Sequence, residues 1–176
     1  LRSQEPAMPH TAAVPFHLRR SRDVLGAGEV TSTTERIHGL LRLDGESLVI
    51  QWRLTRETQT LGAEIRTDEE MEPVKEVVVP VGALAGSVVR RPWWSLGLQL
   101  RLVLTAADLQ AFDVLAGEAG LKMDHPAELV LRLRRRDVLA AQEFSAELAM
   151  ALAERALESG RRELDPGRGP ERQIHP

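Results

Sequence analysis

The sequence predicts a mainly β fold: a small antiparallel, partly open barrel of about six or seven strands, capped by one long C-terminal amphipathic helix. Three observations lead to this prediction. Several short segments alternate apolar and polar residues with a period of two. A turn-forming Asp-Gly pair separates two of them. An apolar stripe with helical spacing follows the last segment, and such a helix can cover the open end of a barrel.

The clearest strand pair is a β-hairpin in the first half of the chain. Residues 48–55 alternate in this way, so they predict a half-buried strand whose apolar face carries Trp52. Residues 36–43 are the predicted partner strand. Asp44 and Gly45 lie between the two segments and tolerate the positive φ that a tight hairpin turn requires.

The same alternation predicts further strands along the chain. They are residues 76–80, which Pro80 ends at a sheet edge, and residues 85–91, 98–104 and 129–133. A seventh strand is predicted either in residues 58–66 or near residues 112–115. The acidic stretch 64–76 is interpreted as a solvated loop, because it lacks the ligand spacing of a calcium loop.

Two helices are predicted in the second half of the chain. A short helix is expected to start at Thr105 as its N-cap and to end near Gly117 or Gly120. A long helix is expected over residues 137–158. Its stripe consists of Val138, Ala141, Phe144, Leu148 and Leu152.

One domain, residues 34–158, contains all of these elements. Residues 1–33 are predicted to be a disordered N-terminal arm, because prolines and glycines interrupt a polar segment without lasting periodicity. Residues 159–176 are predicted to be a disordered C-terminal tail, in which Gly160 ends the helix.

The composition limits the chemistry that the chain can perform. Its 176 residues carry a formal net charge of −3 and contain no cysteine, so cysteine-based metal sites and thiolate nucleophiles are excluded. The sequence contains no phosphate-binding loop, no Gly-x-Ser-x-Gly and no zinc-protease helix, and the five histidines are interpreted as surface or turn residues. We therefore expect no catalytic residue, no metal, no cofactor and a cytoplasmic location.

The order of the strand segments and the terminal helix resembles the pleckstrin-homology-like family in its bacterial, GRAM-type forms. The resemblance covers residues 34–158 and is carried by residues 76–81 with Leu84, by residues 98–102 and 129–133, and by the helix from Asp137. It implies a barrel closed by a helix and, for bacterial members, self-association. Lipid-binding members place basic residues between their first two strands, where this chain has the short, acidic turn 44–47. The resemblance therefore does not extend to binding of a lipid headgroup.

Two groups of side chains are the candidate binding residues. Arg90, Arg91, Trp93 and Trp94 form an Arg-Arg-Pro-Trp-Trp segment, whose composition is typical of protein interfaces. Arg132, Arg134, Arg135 and Arg136 form a basic segment that can bind anions.

These features predict a non-catalytic binding module, with an unknown protein partner or a second copy of the chain as its ligand. The alternatives are a carrier of a small apolar ligand and a weak binder of phosphate or nucleic acid through the arginine-rich strand. The scarcity of aromatic residues argues against stacking of nucleic-acid bases. An enzyme is the least supported interpretation.

Overall fold

The computed structural model of the chain describes residues 12–26, 29–62, 64–92, 100–116, 121 and 123–164. The strands in these residues are β1 (Val14–Leu25), β2 (Val30–Asp44), β3 (Ser47–Leu61), β4 (Ile65–Met71), β5 (Lys75–Pro80), β6 (Leu84–Arg90), β7 (Leu100–Ala106) and β8 (Glu128–Leu133). The helices are α1 (Asp113–Ala116) and α2 (Val138–Leu164).

The described strands form one antiparallel, partly open sheet in the order β4-β3-β2-β1-β8-β7-β6. β5 also pairs with β3, along the half of β3 that β4 leaves uncovered. Since β6 and the β4–β5 side are separate edges, the barrel does not close. The predicted fold class, an open antiparallel barrel with one long terminal helix, is confirmed; the described residues contain eight strands instead of six or seven.

The predicted hairpin sets the register of the sheet. β2 and β3 pair without interruption from Asp44 opposite Ser47 to Val30 opposite Leu61. Gly45 has a φ of 57°, as the Asp-Gly turn predicts. Trp52 is 2% exposed, so its predicted place in the core is confirmed.

The core lies on one face of the sheet, which we call the inner face. Every second residue of β7 and β8 contributes a leucine to this face. These leucines are Leu100, Leu102 and Leu104 on β7, and Leu129, Leu131 and Leu133 on β8. Helix α2 covers this face with Ala141, Phe144 and Leu148, which are fully buried. Its neighbours are mainly β6 and the 3-10 turn Val81–Ala83.

Gly39 allows an aromatic ring to pack across β2. Phe16, Gly39 and Trp52 are direct neighbours on three strands, and the two aromatic side chains are buried. A methyl group at Gly39 would overlap the ring of Phe16 and would lie 2.6 Å from the carbonyl oxygen of Gln51. The ring therefore occupies the space that any other side chain would need.

The ends of β1 to β4 extend beyond the core as a polar sheet, which we call the wing. The wing comprises residues 20–25, 30–35, 56–61 and 65–71, and none of these described residues is buried. On its inner side, Arg20, Glu35, Arg56 and Glu70 lie in register and alternate in charge. Arg56 lies 3.5 Å from Glu35, 3.1 Å from Glu70 and 3.8 Å from Glu72. Strand pairing and charge, rather than burial, hold the wing together.

The prediction of a disordered arm over residues 1–33 is wrong for β1 and for the first residues of β2. Val14 and Phe16 are buried and alternate with the more exposed Pro15 and His17. Beyond them the strand is exposed, but it pairs with β2 as far as Leu25. Backbone pairing to a neighbouring strand stabilises a polar segment that has no periodic apolar pattern of its own.

The acidic stretch 64–76 is not simply a loop. Most of it forms β4 and the start of β5, both paired with β3. All seven residues of β4 are exposed, so the segment shows no alternation of buried and exposed residues. The predicted location of a further strand in residues 58–66 overlaps the end of β3 and the start of β4, whereas residues 112–115 contribute to α1.

The predicted helix ends also differ from the observed ones. Thr105 belongs to β7, and α1 begins at Asp113; between them the backbone amide of Gln110 donates a hydrogen bond to the carboxylate of Asp108 in a turn. Helix α2 continues through Gly160 to Leu164, beyond the predicted end at Glu158. The first six residues of the predicted disordered tail, residues 159–164, are therefore helical.

Candidate anion-binding surface

A row of basic side chains crosses the outer face of the sheet, and we call it the cationic row. The register pairs join its members from one strand to the next: Arg53 on β3, His38 on β2, His17 on β1, Arg132 on β8, Arg101 on β7 and Arg90 on β6. Directly paired residues point to the same face of a sheet. The six side chains therefore line one face over about 24 Å, at about 4.8 Å per strand.

Several cations of the row have no acidic partner among the described residues. Arg53, Arg90 and Arg132 form no ion pair there, and Arg53 and Arg90 are exposed. Arg53 instead places Nη1 3.5 Å from Sδ of Met71, a weak acceptor. No carboxylate of the described residues therefore occupies the hydrogen-bond donors of these three guanidinium groups.

Several arginines elsewhere on the sheet are paired, although Arg19 and Arg22 on β1 form no ion pair with a described residue. Arg36 lies 2.8 Å from Glu57, and Arg42 lies 2.8 Å from Asp44. Arg56 contacts three carboxylates. Acidic residues are therefore available on this sheet, but among the described residues they do not pair with Arg53, Arg90 or Arg132.

A cleft of about 280 Å³ opens beside the middle of the row, and we call it the arginine cleft. It lies where β1 and β8 separate, since their register contains the single described pair His17–Arg132. Its described lining is Leu18, Arg19, Arg20, Arg101, Met123, Asp124, Leu129, Val130 and Arg132. This described lining contains four arginines and one carboxylate, and Arg19 and Arg132 form no ion pair with another described residue, so these two guanidinium groups can bind an anionic ligand.

The electrostatics of the row act on His17. Burial lowers the pKa of His17 below its ordinary value of 6.5, and the positive charges of Arg134, His38 and Arg132 lower it further, against the opposing effect of Asp137. A neighbouring anion would stabilise the protonated imidazole. The protonation of His17 is therefore coupled to the binding of an anion at the centre of the row.

The structure brings together residues from the two predicted sites. Arg90 and Arg132 share the cationic row, although the sequence placed them in separate groups, and Arg101 lies between them. Arg91 is exposed just beyond β6. Trp93 and Trp94 lie outside the described residues, so their predicted interface role stays a prediction.

The other predicted arginines lie beside the row. Arg134 lines a small cavity of about 160 Å³ together with His17, His38 and Asp137. Arg135 and Arg136 belong to the 3-10 turn Arg135–Asp137, in which Nε of Arg136 lies 3.7 Å from Asp137. Their exposed side chains precede α2 and do not belong to the row itself.

Sequence reasoning missed four members of the row, Arg53, His38, His17 and Arg101, as site residues. Each is a basic residue at a polar position of an alternating segment, between Phe16 and Leu18 in the case of His17. This local signal marks the outer face of each strand. It does not reveal the register that aligns strands far apart in the chain.

No group of three or more His, Asp or Glu side chains within the described ranges is close enough to hold a metal ion. In the same part of the chain, no helix has the length and apolar character needed to cross a membrane.

Comparisons with known proteins give no relative for this chain: no family model, no curated protein and no solved structure matches it.

Proposed function

We propose that this domain is a non-catalytic interaction module whose cationic row binds an acidic segment of a protein. The observation that carries the proposal is the alignment of six basic side chains across six strands. A charged guanidinium group forms its strongest hydrogen bonds with carboxylates and related anions.

The spacing of the row suits an acidic helix laid across the strands. Neighbouring strands are about 4.8 Å apart, and carboxylates three or four residues apart on a helix are separated by about 5–6 Å. One helical face can therefore meet successive members of the row. A carboxylate from this face reaches the arginine cleft between Arg101 and Arg132.

A polypeptide fits this surface better than nucleic acid or an anionic membrane. The neighbouring aromatic side chains, Phe16 and Trp52, are buried on the opposite face, so they offer no platform for bases. The wing presents Asp23, Glu57 and Glu69 on the same face as the row. These carboxylates would be repelled by an anionic bilayer placed against the whole face.

The proposal includes a pleckstrin-homology-like fold, a bacterial origin and a cytoplasmic location. The antiparallel strand order and the single terminal helix support the first of these. Self-association through Trp93 and Trp94 is a separate part of the proposal, because it uses residues that follow β6 in the sequence rather than the centre of the row.

The test is fluorescence anisotropy of a labelled oligoglutamate peptide with the full chain, at low and at high salt. We expect binding at low salt that weakens strongly near 1 M salt, where the screening length falls to about 3 Å. Arg132→Gln should weaken binding about tenfold, which corresponds to the roughly 1.4 kcal/mol of one charge-assisted hydrogen bond.

The matched control is Arg42→Gln, which removes an arginine that is already paired with Asp44 on the same face. It should change the affinity less than Arg132→Gln. An equal effect of the two substitutions would show that only net charge matters and would overturn the proposed site. Tighter binding of an oligonucleotide or of anionic vesicles than of the peptide would overturn the proposed partner.

A further inference from the structure

A larger and more open depression lies at the β3 end of the cationic row, and we call it the apolar groove. Its volume is about 500 Å³, within the range of about 300–1,000 Å³ that small-molecule sites occupy. Its described lining is His38, Gly39, Leu40, Gln51, Trp52, Arg53, Thr55, Met71 and Val74. The lining is mainly apolar.

The groove lies where the strand that pairs with the edge of β3 changes from β4 to β5. Pairing with β4 ends at Thr55, and pairing with β5 begins at Trp52. Between them the amide of Glu72 donates a hydrogen bond of 2.9 Å to the carbonyl of Leu54, and the chain then turns away through Pro73. This excursion leaves an opening beside Arg53.

Three apolar side chains that line the groove do not belong to the core. Leu40 lies on the outer face, where its register partners are Pro15 and Gln51. Met71 and Val74 are 59% and 55% exposed. Apolar groups gathered on a polar face are typical of a surface that is covered by a ligand.

The charge at the groove is positive at one end. Arg53 and His38 line it and belong to the cationic row, and the described residues offer Arg53 no carboxylate. The guanidinium group lies against Met71 instead. On another wall, Gln51 donates a hydrogen bond to Glu76, and that carboxylate forms no ion pair with Arg53.

We infer that the apolar groove binds a small amphipathic anion, namely an unbranched carboxylate of medium chain length. The carboxylate binds Arg53 and His38, and the hydrocarbon chain lies on Leu40, Met71 and Val74. This site goes beyond the proposed binding of an acidic segment. It shares two cations with the row, but it rests on the groove and its apolar lining.

The first experiment compares ligands on the full chain by isothermal titration calorimetry. The probes are octanoate, decanoate and dodecanoate, each below its micelle concentration. The affinity should rise about threefold to fourfold per added methylene until the groove is full, as expected for burial of hydrocarbon. Decanoate should bind at least about tenfold more tightly than decyltrimethylammonium, because a cation is repelled by Arg53. Equal affinity for the two would overturn the inference.

The second experiment removes either the apolar part or the cationic part of the site. The double substitution Leu40→Ser with Met71→Ser should weaken decanoate binding about tenfold or more, because it removes apolar contact area. Val88→Ser is the matched control, since Val88 is an exposed apolar residue on β6 at the opposite edge of the sheet. Arg53→Gln should reduce the preference for decanoate over decanol, whereas Arg90→Gln at the far end of the row should preserve it.

Decanoate binding that is unchanged in the double variant would overturn the site, provided that circular dichroism shows the variant to be folded. The oligoglutamate peptide, measured on the same variants, separates the two proposals. If the peptide fails to bind and decanoate binds as expected, only the proposed function fails. If the peptide binds and decanoate does not, only the apolar groove fails.

Discussion

Arg132 on β8 lies directly opposite His17 on β1, and this is the described register pair through which the two strands join. The junction of the sheet therefore places two basic side chains next to each other. Because His17 is half-buried and has cationic neighbours, its pKa is lowered. The seam between the β1–β4 side and the β6–β8 side is thus also the centre of the positive surface.

The ionisation of His17 should respond to single substitutions of its neighbours. Arg134→Gln should raise the pKa of His17 toward 6.5, and Arg132→Gln should raise it by a smaller amount, in the order of their repulsive effects. Burial, the largest cause, remains in both variants, so neither should restore the ordinary value. NMR titration of the imidazole provides the measurement. Arg90→Gln on β6, three strands from β1, is the control that should leave the titration unchanged.

The protein should lose stability in mildly acidic solution because of the same histidine. The pKa of His17 is lower in the folded chain than its unfolded value of 6.5. The unfolded chain therefore binds more protons as the pH falls through 6.5, and the free energy of unfolding decreases until the pH is below the folded pKa. Urea denaturation on both sides of this window should show a smaller decrease for His17→Gln. A wild-type stability that rises as the pH falls through the window would contradict the assignment.

Gly39→Ala should destabilise the barrel by about 1–3 kcal/mol, the usual cost of overpacking a core. The added methyl group collides with the ring of Phe16 and the backbone of Gln51, neither of which can move freely. Gly82→Ala is the control, since a methyl group there meets the end of the exposed Arg155 side chain, which can turn away. Urea denaturation of both variants makes the comparison, and equal losses of stability would show that Phe16 does not limit the space at Gly39.

Trp94→Ala should lower the solution mass of the protein if the Trp segment is an assembly surface. The physical reason is that adjacent residues of an extended chain point in opposite directions, so burial of one tryptophan exposes the other. Light scattering after size exclusion compares the wild type with this variant. Leu157→Ala, which removes an exposed apolar residue of α2, is the control. A wild type that remains a monomer at high concentration would disprove self-association.

The sequence predicts those parts of the fold in which burial and alternation coincide. The hairpin of β2 and β3, the apolar face with Trp52 and the stripe of α2 are all of this kind. β4 and the outer half of β1 escape prediction because they are held by backbone pairing and by side chains such as Arg56. Their exposed residues show no alternation of apolar and polar side chains.

The candidate site is predictable only in pieces. Arg90 and Arg132 are recognisable in the sequence as basic residues near apolar segments, but they lie far apart along the chain. Their alignment depends on β6, β7 and β8 pairing in one register. His17 is harder to predict for a further reason, since the alternation around it is confined to residues 14–18 and the rest of β1 shows none.

The uninterrupted pairing of β2 with β3 makes the outer face of the sheet a scaffold for protein engineering. Backbone register, rather than side-chain attraction, places residues 53 and 38 side by side, so their chemistry can be exchanged without moving their positions. Glutamates there and at residues 17 and 132 would create an anionic stripe of the same geometry. Insertion of one residue into the turn that contains Gly45 would instead destroy this geometry if it shifted the pairing of β2 with β3. A shift by one residue turns every side chain of the strand to the other face of the sheet.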